Sequence, residues 1–144
     1  MGRIIHTDSP TTVRNRNRRT IAEMLKRLAQ KPEIDDEAKD FAATIVFELI
    51  AIDEGVLSSA KSWEKRDYWI KAEKFIREWA WAKETAYNLD DVLRHEAWDL
   101  LPRLILELYP KFADVKVTKL TRKADVWEGN YMKLILGEAV EPPF

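Results

Sequence analysis

The chain contains no cysteine, which removes disulfides, thiolate metal sites and thiol nucleophiles together. Histidine is nearly as scarce. Only His6 and His95 occur and no Glu-x-x-His is present, so the paired motifs of a di-metal carboxylate bundle cannot be assembled. Four glycines in 144 residues argue against a turn-rich β fold. The longest nearly uncharged stretch, Phe41 to Ile52, is 12 residues and contains Glu48, well short of the about 20 apolar residues of a membrane span. Met1 to His6 hold no apolar run of signal-peptide length, so a cytoplasmic protein with no membrane association is expected. Gly-rich phosphate loops and GxSxG elbows are missing too, and no cofactor is expected.

What is present is apolar and charged in the proportions of a globular protein, 46% and 34%. The length suits one domain over 1–144, with a short arm at 1–8 and an irregular tail at 138–144. The expected fold is all-α: a single-domain bundle of about five helices around a long, Trp-rich one.

Helix signals recur along the chain. Ser9-Pro10 reads as an N-cap followed by proline at the first helical position, opening a helix that Lys31-Pro32 ends. Asp35-Asp36-Glu37 places acid at a second helix start, where the dipole favours it, and that helix is expected to reach about Gly55. Ser58-Ser59 then caps a third over 62–87, with Asn88-Leu89-Asp90 as the break. A fourth starts at Asp91, is kinked or divided by Pro102 and is stopped by Pro110. Asp114 to Lys119 reads as a short extended connection, and a last helix runs from Thr121 to Leu136 before Gly137.

The third of these holds four of the chain's six tryptophans, in WEKRDYWIKAEKFIREWAWAK, residues 63–83. At 100° per residue, Tyr68, Trp69, Ala72, Phe75, Ile76, Trp79, Ala86 and Tyr87 form one stripe, which reads as core. Trp63, Ile70 and Trp81 fall on the opposite side with Lys74 and Arg77 between them. A further layer of the same domain, a second subunit or a ligand has to cover that second face. From it we expect a non-catalytic protein-interaction or self-associating module, with a protein partner or itself, as a homodimer, on Trp63, Ile70, Lys74, Arg77 and Trp81.

Two alternatives belong to other classes. VRNRNRR, residues 13–19, with Arg14, Arg16, Arg18 and Arg19, is the pattern of a nucleic-acid binder, enlarged by Lys119, Arg122 and Lys123 if the fold unites them. Against it, the neighbouring acidic block at 33–57 offers an internal partner for the same arginines. A carboxylate/His metal-dependent enzyme is the remaining option. His95-Glu96-Ala97-Trp98-Asp99 differs from HExxH at its last residue, and Glu48, the lone charge in FAATIVFELIAI, is a candidate acid or base. All three of His95, Glu96 and Asp99 project away from the leucine stripe of their helix, as a solvated i,i+4 ion-pair face does. Glu48 shares a polar strip with Thr44 and Glu37, which predicts partial exposure or pairing with an arginine of the first helix. No catalytic residue or metal ligand is therefore assigned.

Overall fold

The computed structural model describes residues 8–143; His6 and most of the expected arm 1–8 lie outside them. The described chain is helical without strands. Five α-helices form it: α1 Pro10–Ala29, α2 Asp36–Lys65, α3 Trp69–Arg94, α4 Leu101–Leu108 and α5 Asn130–Leu136, with short 3-10 turns between the later ones.

The first two begin where their caps dictate. Ser9 accepts from the Thr12 N–H ahead of Pro10, and Asp35 accepts from the Ala38 N–H at 2.8 Å. α1 runs back along α2, so that Pro10 and Arg14 lie beside Ser58, Ser59 and Trp63. α2 is the central element, with α1, α3 and α5 all packed against it. Phe41, Ile45, Val46, Leu49, Ile52 and Val56 on α2 are all within 1% of complete burial, each contributing about 1.5–3 kcal/mol relative to an exposed side chain. Ile21, Met24 and Leu25 close the core from α1, and Leu89 and Leu93 close it from α3. Buried Ala72, Ala82 and Ala86 on α3 present little bulk to α2, which allows two helices to lie close together.

The element boundaries differ from those expected at several places, with a common cause. α2 does not stop near Gly55 but continues through Ser58-Ser59 to Lys65, so Trp63 belongs to α2 and not to the Trp-rich helix. It ends in a Schellman motif. The Tyr68 N–H donates to the Trp63 carbonyl at 2.9 Å and the Asp67 N–H to Glu64, with Asp67 itself left-handed at φ 64°. α3 likewise passes through Asn88-Leu89-Asp90 and closes with the Ala97 N–H on the Val92 carbonyl and Glu96 at φ 53°. Glycine is the usual residue at such positions, and neither stop carries one.

Pro102 lies in the first turn of α4, where its missing N–H costs nothing, so it begins a helix instead of kinking one. Pro110 sits inside a 3-10 turn, Tyr109–Phe112, that continues directly from α4. The expected helix over 121–136 forms only from Asn130. Gly129, at φ 82°, breaks it before that point, while Gly137 is its C-cap as expected. Residues 114–119 are turns and irregular chain.

Candidate functional site

The arginine-rich segment of α1 and the aromatic segment of α3 are each other's partners. The Arg14 guanidinium lies over the rings of Phe75, 5.1 Å, and Trp79, 5.3 Å; Arg18 lies over Phe112, 5.5 Å, and Trp79, 6.0 Å. Trp63, from α2, packs on Phe75 at 4.8 Å with the two rings tilted by 60°, and Trp81 packs edge-on to Phe112 at 5.8 Å with the Lys111 ammonium over its ring. Trp63 and Trp81 are therefore half-buried against this chain's own residues, on different helices. The expected face of Trp63, Ile70, Lys74, Arg77 and Trp81 does not exist as one surface. The break at residues 66–68 takes Trp63 off the wheel on which the other four sit.

Nor do the arginines turn to the acidic block. Their partners are mostly backbone carbonyls of an irregular strap, residues 111–123, that crosses α1. Arg18 donates to the Lys111 carbonyl and, through two nitrogens, to the Asp114 carboxylate. Arg19 reaches the carbonyls of Lys116 and Lys119, Lys26 that of Val117, and Arg27 that of Arg122. From the strap, Arg122 reaches back to Thr20 and to the Arg16 carbonyl, and Arg16 pairs with Asp8.

Glu23, fully buried, is the pivot of this strap. It accepts from the Thr121 N–H and hydroxyl, the Arg122 N–H and Arg19 Nε, at 2.6 to 2.8 Å. Burial pushes its carboxyl up, but those hydrogen bonds outweigh burial and hold it at about 2. Composition gave no hint of this residue; an acid on the apolar face of a basic helix was the only available sign. Glu48 is the contrasting case. It is half-buried, pairs with no arginine of α1, and burial lifts its carboxyl to about 7 against the opposing field of Arg122.

His95 is exposed at the end of α3, with Nδ1 3.1 Å from Asp91. The reversal at Glu96 separates it from Asp99, which lies in the 3-10 turn Trp98–Leu100, so no helical i,i+4 pair joins His95 to Asp99. Among the described residues no group of three His or acidic side chains is placed to share a metal ion. None of the described helices is long and apolar enough to cross a membrane.

The exposed aromatics lie elsewhere. At the corner between α2 and α3, Tyr68, Trp69 and Ile70 are 49%, 59% and 84% exposed. Tyr68 and Trp69, expected in the core stripe, are solvent-facing because they initiate α3 beyond the end of α1's cover. Lys71 and Lys74 border the same shallow depression. Arg77 stands one turn further on, exposed beside Glu73. Compared with protein-family models, with curated proteins and with solved structures, the chain matches none.

Proposed function

We propose that this is a non-catalytic protein-interaction module that docks through the α2–α3 corner. One observation carries the reading: three consecutive large apolar residues, Tyr68-Trp69-Ile70, face water in a chain whose other tryptophans are at least half covered. Aromatic anchors of this kind dominate binding energy when a partner desolvates them. Around them, residues 65–74 carry Lys65, Arg66, Lys71 and Lys74 against Asp67 and Glu73. The partner surface that fits is an apolar pocket with a carboxylate rim.

A photoreactive benzophenone side chain in place of Trp69 tests this in the producing cells. Irradiation is expected to crosslink a protein from position 69 and none from a control at exposed Leu57; no adduct at 69 overturns the reading.

A nucleic-acid-binding reading has one observation in its favour, the meeting of α1 with the 111–123 strap. That puts Arg16, which is paired with Asp8, and Lys116, Lys119 and Lys123, all four exposed, on adjoining segments, with Arg14, Arg18, Arg19 and Arg122 engaged inward as described. Phosphate contacts release counterions, so absence of association with DNA or RNA at low ionic strength rejects it.

A further inference from the structure

Two apolar exposures stand at opposite ends of α2. One is the corner after its C-terminus. The other is a cavity of about 340 Å³ beside its N-terminus, between the 30–35 loop and α4, walled by Leu28, Pro32, Ile34, Leu101, Ile105 and Leu106. Leu106, 66% exposed, forms its lip. The thirty residues of α2 separate the two by roughly 45 Å at about 1.5 Å per residue, so the corner cannot reach the cavity of its own molecule.

The two ends also carry opposite charge. The corner has the four cations named above against two carboxylates. The segment beside the cavity, residues 31–37, which runs from the loop into the first turn of α2, holds Glu33, Asp35, Asp36 and Glu37 against Lys31 alone. Lys31 is already engaged by Asp35 and Glu37, at 2.9 and 2.6 Å. Lys31 and Glu33 themselves line the cavity, and Asp35, Asp36 and Glu37 follow directly in the chain. An apolar pocket with a net-negative surround, which suits the corner's cations, is therefore present on the chain itself.

We propose that the corner's occupant is a second copy of this chain, docked head to tail, with Trp69 and Ile70 of one copy entering the cavity between the 30–35 loop and α4 of the next. This rests on the corner being a docking surface. The cavity lies at the small end of the about 300–1,000 Å³ spanned by ligand pockets, a size for one or two side chains and not for a helix. Because projection and cavity are different surfaces, a single contact is heterologous, and its repetition builds a ring where the rotation closes and an open chain of molecules where it does not.

Sedimentation of the full chain over a concentration series tests it. Size is expected to grow with concentration, and Trp69→Ser and Leu106→Glu are each expected to weaken association by about tenfold or more. Both side chains are exposed, and unchanged helical circular dichroism verifies the fold. Mixing the two variants is decisive. Trp69→Ser retains its cavity and Leu106→Glu retains its corner, so at concentrations where each variant alone is monomeric an equimolar mixture forms a one-to-one pair and nothing larger. A wild type that is monomeric at millimolar concentration and low salt overturns the proposal, as does a mixture no larger than its components. If that monomeric protein still crosslinks another protein from position 69, the docking surface stands and the second-copy occupant falls. With no crosslink at all, both fall.

Discussion

Arg18 and Trp79 cover one another: the guanidinium lies over the indole at 6.0 Å while donating to Asp114 at 2.6 and 2.9 Å and to the Lys111 carbonyl at 2.9 Å. One side chain thus joins α1, α3 and the strap. Its removal is expected to cost about 1–3 kcal/mol, because it strands a carbonyl and uncovers an aromatic ring. Asp114→Ala should cost at most about 1 kcal/mol, since that carboxylate is largely in water. Urea unfolding of the two variants measures the difference, and equal losses would mean that the exposed ion pair, not the buried packing, holds the joint.

The strap should depend on Glu23 more than on any of its own side chains. Glu23→Ala leaves the Thr121 and Arg122 N–H groups without their acceptor and is expected to destabilise by roughly 2–4 kcal/mol. Hydrogen exchange should rise first at residues 119–123. Its acid dependence follows in sign: the folded carboxyl titrates at about 2, below the ordinary 4.5. Its contribution is therefore complete above about pH 4.5 and is lost as pH falls toward 2.

Glu48 acts in the opposite direction. Its folded value of about 7 lies above the ordinary 4.5, so the folded protein binds the proton more tightly than the unfolded chain. Stability should fall as pH rises from about 4.5 through about 7, then level off. The shift corresponds to an upper bound of about 3 kcal/mol, which partial exposure reduces to roughly 1–2. Glu48→Gln is expected to abolish this slope and to stabilise the protein at pH 8 but not at pH 4.5. A wild-type stability that climbs between those values would contradict the assignment.

Arg94 holds the end of the chain. Its fork donates to the carbonyls of Leu134, Ile135, Gly137 and Glu138, and its Nε to Asp90, which in turn accepts from the Val140 N–H. A lysine has no planar fork to reproduce this. Arg94→Lys should therefore speed amide exchange over residues 134–140 several-fold while leaving α1 and α2 protected, with a loss of about 1–3 kcal/mol.

Fluorescence offers a direct check on the corner. Of the six tryptophans, Trp69 alone is more exposed than covered. Trp69→Phe should remove most of the emission accessible to iodide and change stability by no more than about 0.5 kcal/mol. Quenching that survives the substitution would place the exposed indole elsewhere.

Local chemistry alone determined a good part of this molecule. The all-α class, the absence of thiol chemistry and the starts of α1 and α2 are all readable from spacing and from caps such as Ser9 and Asp35, because a helix and its first turn are short-range objects. The breaks at Asp67 and Glu96 were not readable. A left-handed residue other than glycine is held there by the hydrogen bonds around it, and nothing in its type announces the role. Which tryptophans are covered was a tertiary decision for the same reason. The wheel records that two residues share a side of one helix, but Trp63 and Trp69 met different fates because the chain turned between them, and the cover for Trp79 and Trp81 came from arginines and a strap distant in sequence. Periodicity states which faces need partners; only the folded chain supplies the partner, since that depends on residues far apart in sequence, such as Arg14 and Trp79, arriving at one place.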